Sequence, residues 1–260
     1  MRLDLLISTR GLTQSREAAK SAILEGFAFV DGKCVNKPSA EVSETAEIEI
    51  RGESRKFVSR GGYKLEHALD FFEIDVGGCV CLDLGASTGG FTDCLLQRGA
   101  VLVYAVDVGH GQLDVTLGLD DRVVAIEGVN ARDLRPELLG DAPDFAAVDL
   151  SFISLALVLP ALRGVMMPEG VAICLVKPQF EAGRGNVGKN GIVRDEKTHI
   201  RVLEEFVKNA QISGFAVRGI TYSPMRGGGG NLEFLACLAG DGNSQISVRD
   251  IIKSAHADVQ

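Results

Sequence analysis

The 260-residue sequence predicts an α/β protein, a mostly parallel sheet covered by helices and preceded by a small α+β unit. Three observations carry this. From residue 63 onward, short apolar runs alternate with helical patterns, as a sheet buried on both faces requires. The first of these runs ends in a glycine-rich turn, within residues 83–93, that opens a helix. Charge is also unevenly shared. Residues 1–60 hold ten basic and nine acidic groups, which leaves 17 basic and 26 acidic groups among the other 200. The net charge of −8 therefore belongs to the second part, and the first is a near-neutral, basic-armed module.

Hydrophobic residues at 46% and charged residues at 24% exclude a disordered chain. The longest apolar runs, such as Val80–Leu84 and Val171–Val176, are strand-sized and fall short of a bilayer span. Residues 1–7 are too short for a signal-peptide core, so a cytoplasmic address is expected. Cys34, Cys79, Cys81, Cys94, Cys174 and Cys237 form no C-x-x-C pair and have no histidine at ligand spacing. Reduced core cysteines and no metal site are expected.

Taken in order, Leu3, Leu5 and Leu6 open a short helix that stops at Gly11. Ser15 caps a second helix over residues 16–25, which Gly26 ends. Phe27 and Phe29 mark a strand turning at Asp31-Gly32, and residues 46–50 another. Arg10, Arg16, Lys20, Lys33 and Lys37 can line one basic face, either meeting phosphates or simply solvated. Residues 1–52 read as this module, 53–62 as a polar, basic linker, 63–242 as the main domain and 243–260 as a tail or helix. The main domain opens with a helical stripe of Leu65, Leu69 and Phe72. Strands follow at residues 80–84, 101–108, 122–127, 144–150 and 171–177. Helices are expected at 89–97, 154–163 and 195–213, the last with an apolar stripe of Ile200, Leu203, Phe206, Val207 and Ala210. Residues 215–222 and 232–239 look like a closing pair, with an antiparallel edge as one arrangement.

The glycine-rich turn lets backbone approach a ligand and presents the free N–H groups of a helix start. It is not G-x-G-x-x-G, and Asp83 would repel a pyrophosphate. A carboxylate there suits a cationic ligand end, such as the amino group of S-adenosylmethionine. Asp107, closing the next strand, could accept the two hydroxyl protons of a ribose. A plain packing turn and a dinucleotide site remain alternatives. Asp149 and Lys177 close two later strands. A lysine at the end of an apolar strand is costly unless paired, and Asp149 is its natural partner, as a site or as a structural ion pair.

The blocks R-L-D-L-L at residues 2–6, G-L-x-x-S-R at 11–16 and A-x-x-x-I-x-x-G at 19–26 resemble the S4-type alpha-L RNA-binding motif. That resemblance implies binding of structured RNA, largely by shape and backbone. The implied contact set is Arg2, Arg10, Ser15, Arg16, Lys20, Lys33 and Lys37, with Arg55, Lys56 and Arg60 of the linker. Lys64, Asp149, Lys177 and Glu233, in that chain order, look like the catalytic tetrad of FtsJ-like RNA 2′-O-methyltransferases. The blocks S-R-G-G-Y-K-L at 59–65, D-L-G-A-S-T-G-G-F-T-D at 83–93, D-L-S-F-I-S-L at 149–155, L-V-K-P-Q-F-E at 175–181 and S-P-M-R-G-G-G-G-N-L-E-F-L at 223–235 resemble the TlyA (hemolysin A) family over almost the full chain. One departure is Asn190, where the family usually shows glycine.

The resemblance implies a Rossmann-like class I S-adenosylmethionine-dependent methyltransferase fold with a seven-stranded sheet. It implies methylation of a ribose 2′-hydroxyl, of cytidines in ribosomal RNA, with the large subunit as the expected target. Lys177 would be the base and Asp149 its orienting partner. Lys64 and Glu233 would position the ribose, with Lys64 also favouring the neutral amine of Lys177 as a neighbouring cation. Asp83, Gly85, Ala86, Ser87, Gly89, Gly90, Phe91, Asp107 and Asn130 would hold the cofactor, Asn130 at the adenine. Two other readings compete: a membrane-active haemolysin, for which no amphipathic or membrane-spanning segment is seen, and a non-catalytic ribosome assembly factor, against which the complete tetrad argues.

Overall fold

Leucines three and four apart put one apolar stripe on α1 (Leu3–Thr9), which packs Leu3, Leu6 and Ile7 against Ala19 and Ile23 of α2 (Arg16–Leu24). Beneath them lies a three-stranded antiparallel sheet of β1 (Ala28–Val30), β2 (Lys33–Cys34) and β3 (Ile48–Ile50), with β1 in the centre. The computed structural model describes residues 1–13, 16–24, 26–50, 56–242 and 246–259. They divide into two units, Met1–Lys56 and Phe57–Gln260.

The second unit runs α3 (Gly61–Phe71), β4 (Val80–Leu84), α4 (Gly90–Gln97), β5 (Leu102–Asp107), α5 (Val115–Gly118) and β6 (Val123–Glu127). It continues with β7 (Phe145–Val148), α6 (Leu159–Val165), β8 (Val171–Val176), α7 (Pro178–Glu181), α8 (Glu196–Ile212), β9 (Ala216–Tyr222), β10 (Phe234–Ala239) and α9 (Val248–Asp258). The seven strands form one sheet in the order β6-β5-β4-β7-β8-β10-β9. The first five are parallel, and β10 and β9 join antiparallel. Successive residues of each strand serve opposite faces. Cys81, Val103, Ala147 and Ile173 pack with α3 and α4, while Leu82, Val106, Val148 and Cys174 pack with α6, α8 and α9.

Two features differ from the sequence reading. The second unit starts at Phe57, inside the stretch expected as a linker, because Phe57 is 1% exposed and lies under Gly62. The helix expected over residues 154–163 is a 3₁₀ turn, Leu155–Leu157, followed by α6. Pro160 lacks an N–H and suits the first turn of a new helix better than the interior of an old one. Of the tail or helix expected at the C-terminus, the structure forms the helix, and Val248, Ile252 and Ala255 of α9 join the core. The closing strands form the antiparallel edge that their position suggested, with β10 between β8 and β9. The Asn190 departure is explained as well. Its φ is +67°, a left-handed conformation that glycine adopts freely and asparagine tolerates.

A Cβ on Gly62 would lie 2.3 Å from Cγ of Phe57. Gly62→Ala is therefore expected to push Phe57 from its seat and lower stability by about 1–3 kcal/mol in urea unfolding.

Candidate active site

Strand order reverses at β4. The chain moves to β5 and β6 on one side, then returns to β7 and β8 on the other. In open α/β sheets, ligands bind beyond the strand ends at such a switch point. Gly85 follows β4 there, Asp107 closes β5, Asp149 follows β7, Lys177 follows β8 and Glu233 precedes β10. The two sides of the crevice touch through backbone. Gly85 has φ +94°, and a Cβ on it would stand 2.2 Å from the carbonyl oxygen of Asp149. Only glycine fits.

The four tetrad residues meet as two ion pairs. Lys64 Nζ, on α3, donates to Glu233 Oε2 at 2.6 Å, with the side chains 10% and 2% exposed. Lys177 Nζ lies 2.5 Å from Asp149 Oδ1 as an ion pair without hydrogen-bond angles, and donates to Ser151 Oγ at 3.0 Å. Glu233 thus takes up the charge of Lys64, the cation expected beside Lys177. Gly227 makes room for that carboxylate, since a Cβ there would overlap Glu233 Oε1.

Asp83 is fully buried on β4. Its Oδ2 accepts from the N–H of Thr92 at 2.8 Å and the Thr92 hydroxyl at 2.7 Å, while Oδ1 has no partner. Burial pushes its pKa up to about 7, against the pull of those two hydrogen bonds. Asp107 braces the glycine turn: Oδ2 accepts from the N–H of Ser87 at 2.9 Å and Oδ1 from that of Gly109 at 2.7 Å. Ser87 itself sits at φ +49° and Gly89 at φ +94°. Ala86 and Gly90 are buried, and a Cβ on Gly90 would strike Ser59 Oγ at 2.1 Å. Phe91 is 3% exposed and belongs to the core cluster with Leu95 and Leu117, so its backbone, and not its ring, is left for a ligand. Asn130 Oδ1 is committed to the turn Ala131–Asp133, accepting from the N–H of Arg132 at 3.1 Å.

Sequence reasoning passed over several neighbours. Phe152 is 91% exposed with φ +65°, a genuine outlier for a bulky side chain, and its ring centroid lies 5.0 Å from that of Phe180. Lys177 Nζ stands 5.9 Å from the centroid of Phe180. Glu181 Oε2 accepts from the Ser154 hydroxyl at 2.6 Å and Oε1 from the N–H of Leu155 at 2.8 Å. The blocks at 149–155 and 175–181 contained all of these, but only their charged strand-end residues were read as chemistry.

The FtsJ-like methyltransferase family matches residues 57–240, and the S4 domain family matches residues 1–48. The chain is 43% identical over 256 residues to the 16S/23S rRNA (cytidine-2′-O)-methyltransferase TlyA of Mycobacterium tuberculosis, covering 98% of this chain and 96% of that one. The chain belongs to the TlyA family of FtsJ-like methyltransferases. It is 44% identical over 237 residues to Hemolysin A of Brachyspira hyodysenteriae, covering 91% and 98% of the two chains. A solved structure described as a hemolysin from Streptococcus thermophilus superposes with a TM-score of 0.79 at 43% identity, over 99% of this chain and 96% of that one. Membership of this family implies use of S-adenosylmethionine. The residues fit that cofactor: a buried carboxylate oxygen without a partner faces the need of a cationic ammonium, next to a turn that only glycines can make.

In the S4 domain, several cations are committed internally. Arg2 and Arg16 both bind the buried Asp4, Arg2 in a bidentate pair at 3.0 Å through each bond, and they hold that carboxyl well below the usual range. Arg10 donates to the carbonyls of Ala46 at 2.7 Å and Glu44 at 2.5 Å. These three arginines are structural as well as surface groups. Lys33, Lys37 and Lys56 are exposed, and Lys20 and Arg60 are half-buried. Ser15 and Arg55 lie outside the described residues. Among the described residues, no helix is long and apolar enough to cross a membrane, and no cluster of three His, Cys, Asp or Glu side chains could hold a metal.

Because the Asp83 pKa is raised above its unfolded value, the carboxyl destabilises the fold progressively as pH rises from about 4 through about 7. Asp83→Asn is expected to flatten that part of the stability curve, measured by melting temperature between pH 5 and 8 in the absence of cofactor.

Proposed function

We propose that this methyltransferase transfers a methyl group from S-adenosylmethionine to the ribose 2′-hydroxyl of a cytidine in ribosomal RNA. The observation that carries the reading is the pairing of Lys177 with Asp149 and of Lys64 with Glu233 at the sheet edge that also presents Asp83 and Asp107. The name of the M. tuberculosis relative supports cytidine and ribosomal RNA, and the S4 domain supports an RNA partner.

The cofactor, when bound, supplies an electrophilic methyl group. Asp83 Oδ1 would accept from the ammonium of its methionine part, and the backbone of Gly85, Ala86, Ser87, Gly89, Gly90 and Phe91 would hold it. Asp107 uses its remaining lone pairs for the ribose hydroxyls. Asn130, with its carbonyl oxygen engaged, offers its amide N–H₂ to the adenine. Lys177, in its neutral form, takes the proton of the attacking 2′-hydroxyl, while Asp149 and Ser151 fix where the amine points. Lys64 and Glu233 hold the ribose, and much of the rate comes from alignment. Phe152 presents a nearly fully exposed ring beside Phe180, whose own ring centroid lies 5.9 Å from Lys177 Nζ, and offers a face on which a nucleobase can stack.

Lys177→Ala should lower single-turnover methylation at least about 100-fold. Retention of the wild-type rate would refute its role as base. Mapping 2′-O-methyl positions on both ribosomal RNAs with and without the protein identifies the nucleotide and subunit. For the S4 domain, Lys33→Ala with Lys37→Ala is expected to weaken ribosomal RNA binding. The slope of log affinity against log salt should flatten by roughly one for each phosphate that is no longer neutralised.

A further inference from the structure

β7 and β8 run parallel, and the chain beyond each runs on beside the other. Three contacts join these extensions in step. Lys177 meets Asp149 and Ser151, Phe180 meets Phe152, and Glu181 meets Ser154 and Leu155. The first is the pair proposed to do the chemistry. The last is its counterpart at the other end: one carboxylate accepts a hydroxyl and a backbone N–H, at 2.6 and 2.8 Å, where the turn Leu155–Leu157 begins. Between them the chain passes through Phe152 at φ +65°, a conformation that persists only where the surroundings over-determine it.

We infer that Glu181 is a positioning residue for the Lys177–Asp149 pair, holding the loop Asp149–Leu155 in register with the strand end that carries Lys177. Glu181 touches none of the reacting groups. It is four residues beyond Lys177, on α7, so it ties the loop to the same short segment that presents the amine. Without that tie, the polar contacts that remain between the loop and the β8 extension are those of Lys177 at its start, beside the Phe152–Phe180 contact and shared apolar packing. The strained Phe152 turn can then relax, and the directions of Asp149 Oδ1 and Ser151 Oγ change with it. This role presupposes Lys177 as the base, as proposed above.

The test is single-turnover methylation of ribosomal RNA by the full chain carrying Glu181→Ala, Glu181→Gln, Ser154→Ala or Lys177→Ala, with cofactor affinity and melting temperature measured alongside. Glu181→Ala is expected to slow methyl transfer by about tenfold or more while cofactor affinity stays within about twofold of wild type. Glu181→Gln should restore most of the rate, because its amide oxygen still accepts the N–H of Leu155 and its N–H₂ can donate to the Ser154 hydroxyl. Ser154→Ala, which keeps the bond to Leu155, should slow transfer by a few fold and carries the test if Glu181→Ala does not fold. Unchanged rates in Glu181→Ala, or in Ser154→Ala where that variant stands in, overturn the inference when Lys177→Ala is inactive. So does equal impairment of the Ala and Gln variants. An active Lys177→Ala enzyme overturns instead the assignment of the base on which the role depends.

Discussion

The ion pair between Lys64 and Glu233 constrains everything around it. Both side chains are almost out of water, and losing one partner would strand the other charge at a cost of about 3–5 kcal/mol. The pair joins residues 169 apart in sequence, so it locks the first helix of the second unit to the strand inserted between β8 and β9. That strand pairs Phe234 with Val176, which sets Glu233 at the same strand ends as Lys177. The glycine-rich loop before β10 is shaped by the same demand: at Gly227 no side chain can fit beside the carboxylate. One buried contact thus orders a helix, a strand and a loop around the crevice.

The charges along this edge are sorted by strand. At the ends of β7, β8 and β10, Lys177 and the Lys64 that α3 brings in each face a carboxylate, so that side is close to neutral. On β4 and β5 the acids face only N–H and O–H groups, and one oxygen of Asp83 faces none. Burial without a counter-charge raises the Asp83 pKa, and a cation brought beside it would reverse that effect. The unpaired half suits a positively charged ligand, and the paired half suits a neutral hydroxyl that must lose a proton. The acidic surplus of the second unit has this local meaning.

Much of the fold was legible because buried strands such as β7 and β8 read as unbroken apolar runs, and all seven strands lie close to the stretches expected for them. The glycine turn was legible because its geometry leaves little choice of residue. The partnership of Lys177 with Asp149 was readable from the cost of an unpaired charge at a strand end. What was hidden depends on long-range placement. Nothing local tells that Glu233 neutralises Lys64, since this follows from where β10 inserts. Phe57 looked like one apolar residue in a polar stretch until Gly62 covered it. Glu181 stands in the block at 175–181, of which only Lys177 was read as chemistry, and its two hydrogen bonds appear only when the β7 and β8 extensions lie side by side.

The basic count of the N-terminal module changes meaning in the same way. Arg2 and Arg16 converge on a carboxylate with no exposed surface, and Arg10 closes on two carbonyls, so their charges first hold the small core of Leu3, Leu6 and Ile7 in place. A guanidinium has five N–H donors, and Arg2 spends two of them on Asp4. Its outward donors stay available on a side chain whose rotamers are already fixed. Ordering a free arginine on a phosphate costs side-chain entropy, and here Asp4 has met part of that cost during folding. On the proposed reading, a module with little net charge would bind structured RNA by offering fixed donors at fixed spacing, with Lys33 and Lys37 supplying the longer-range attraction.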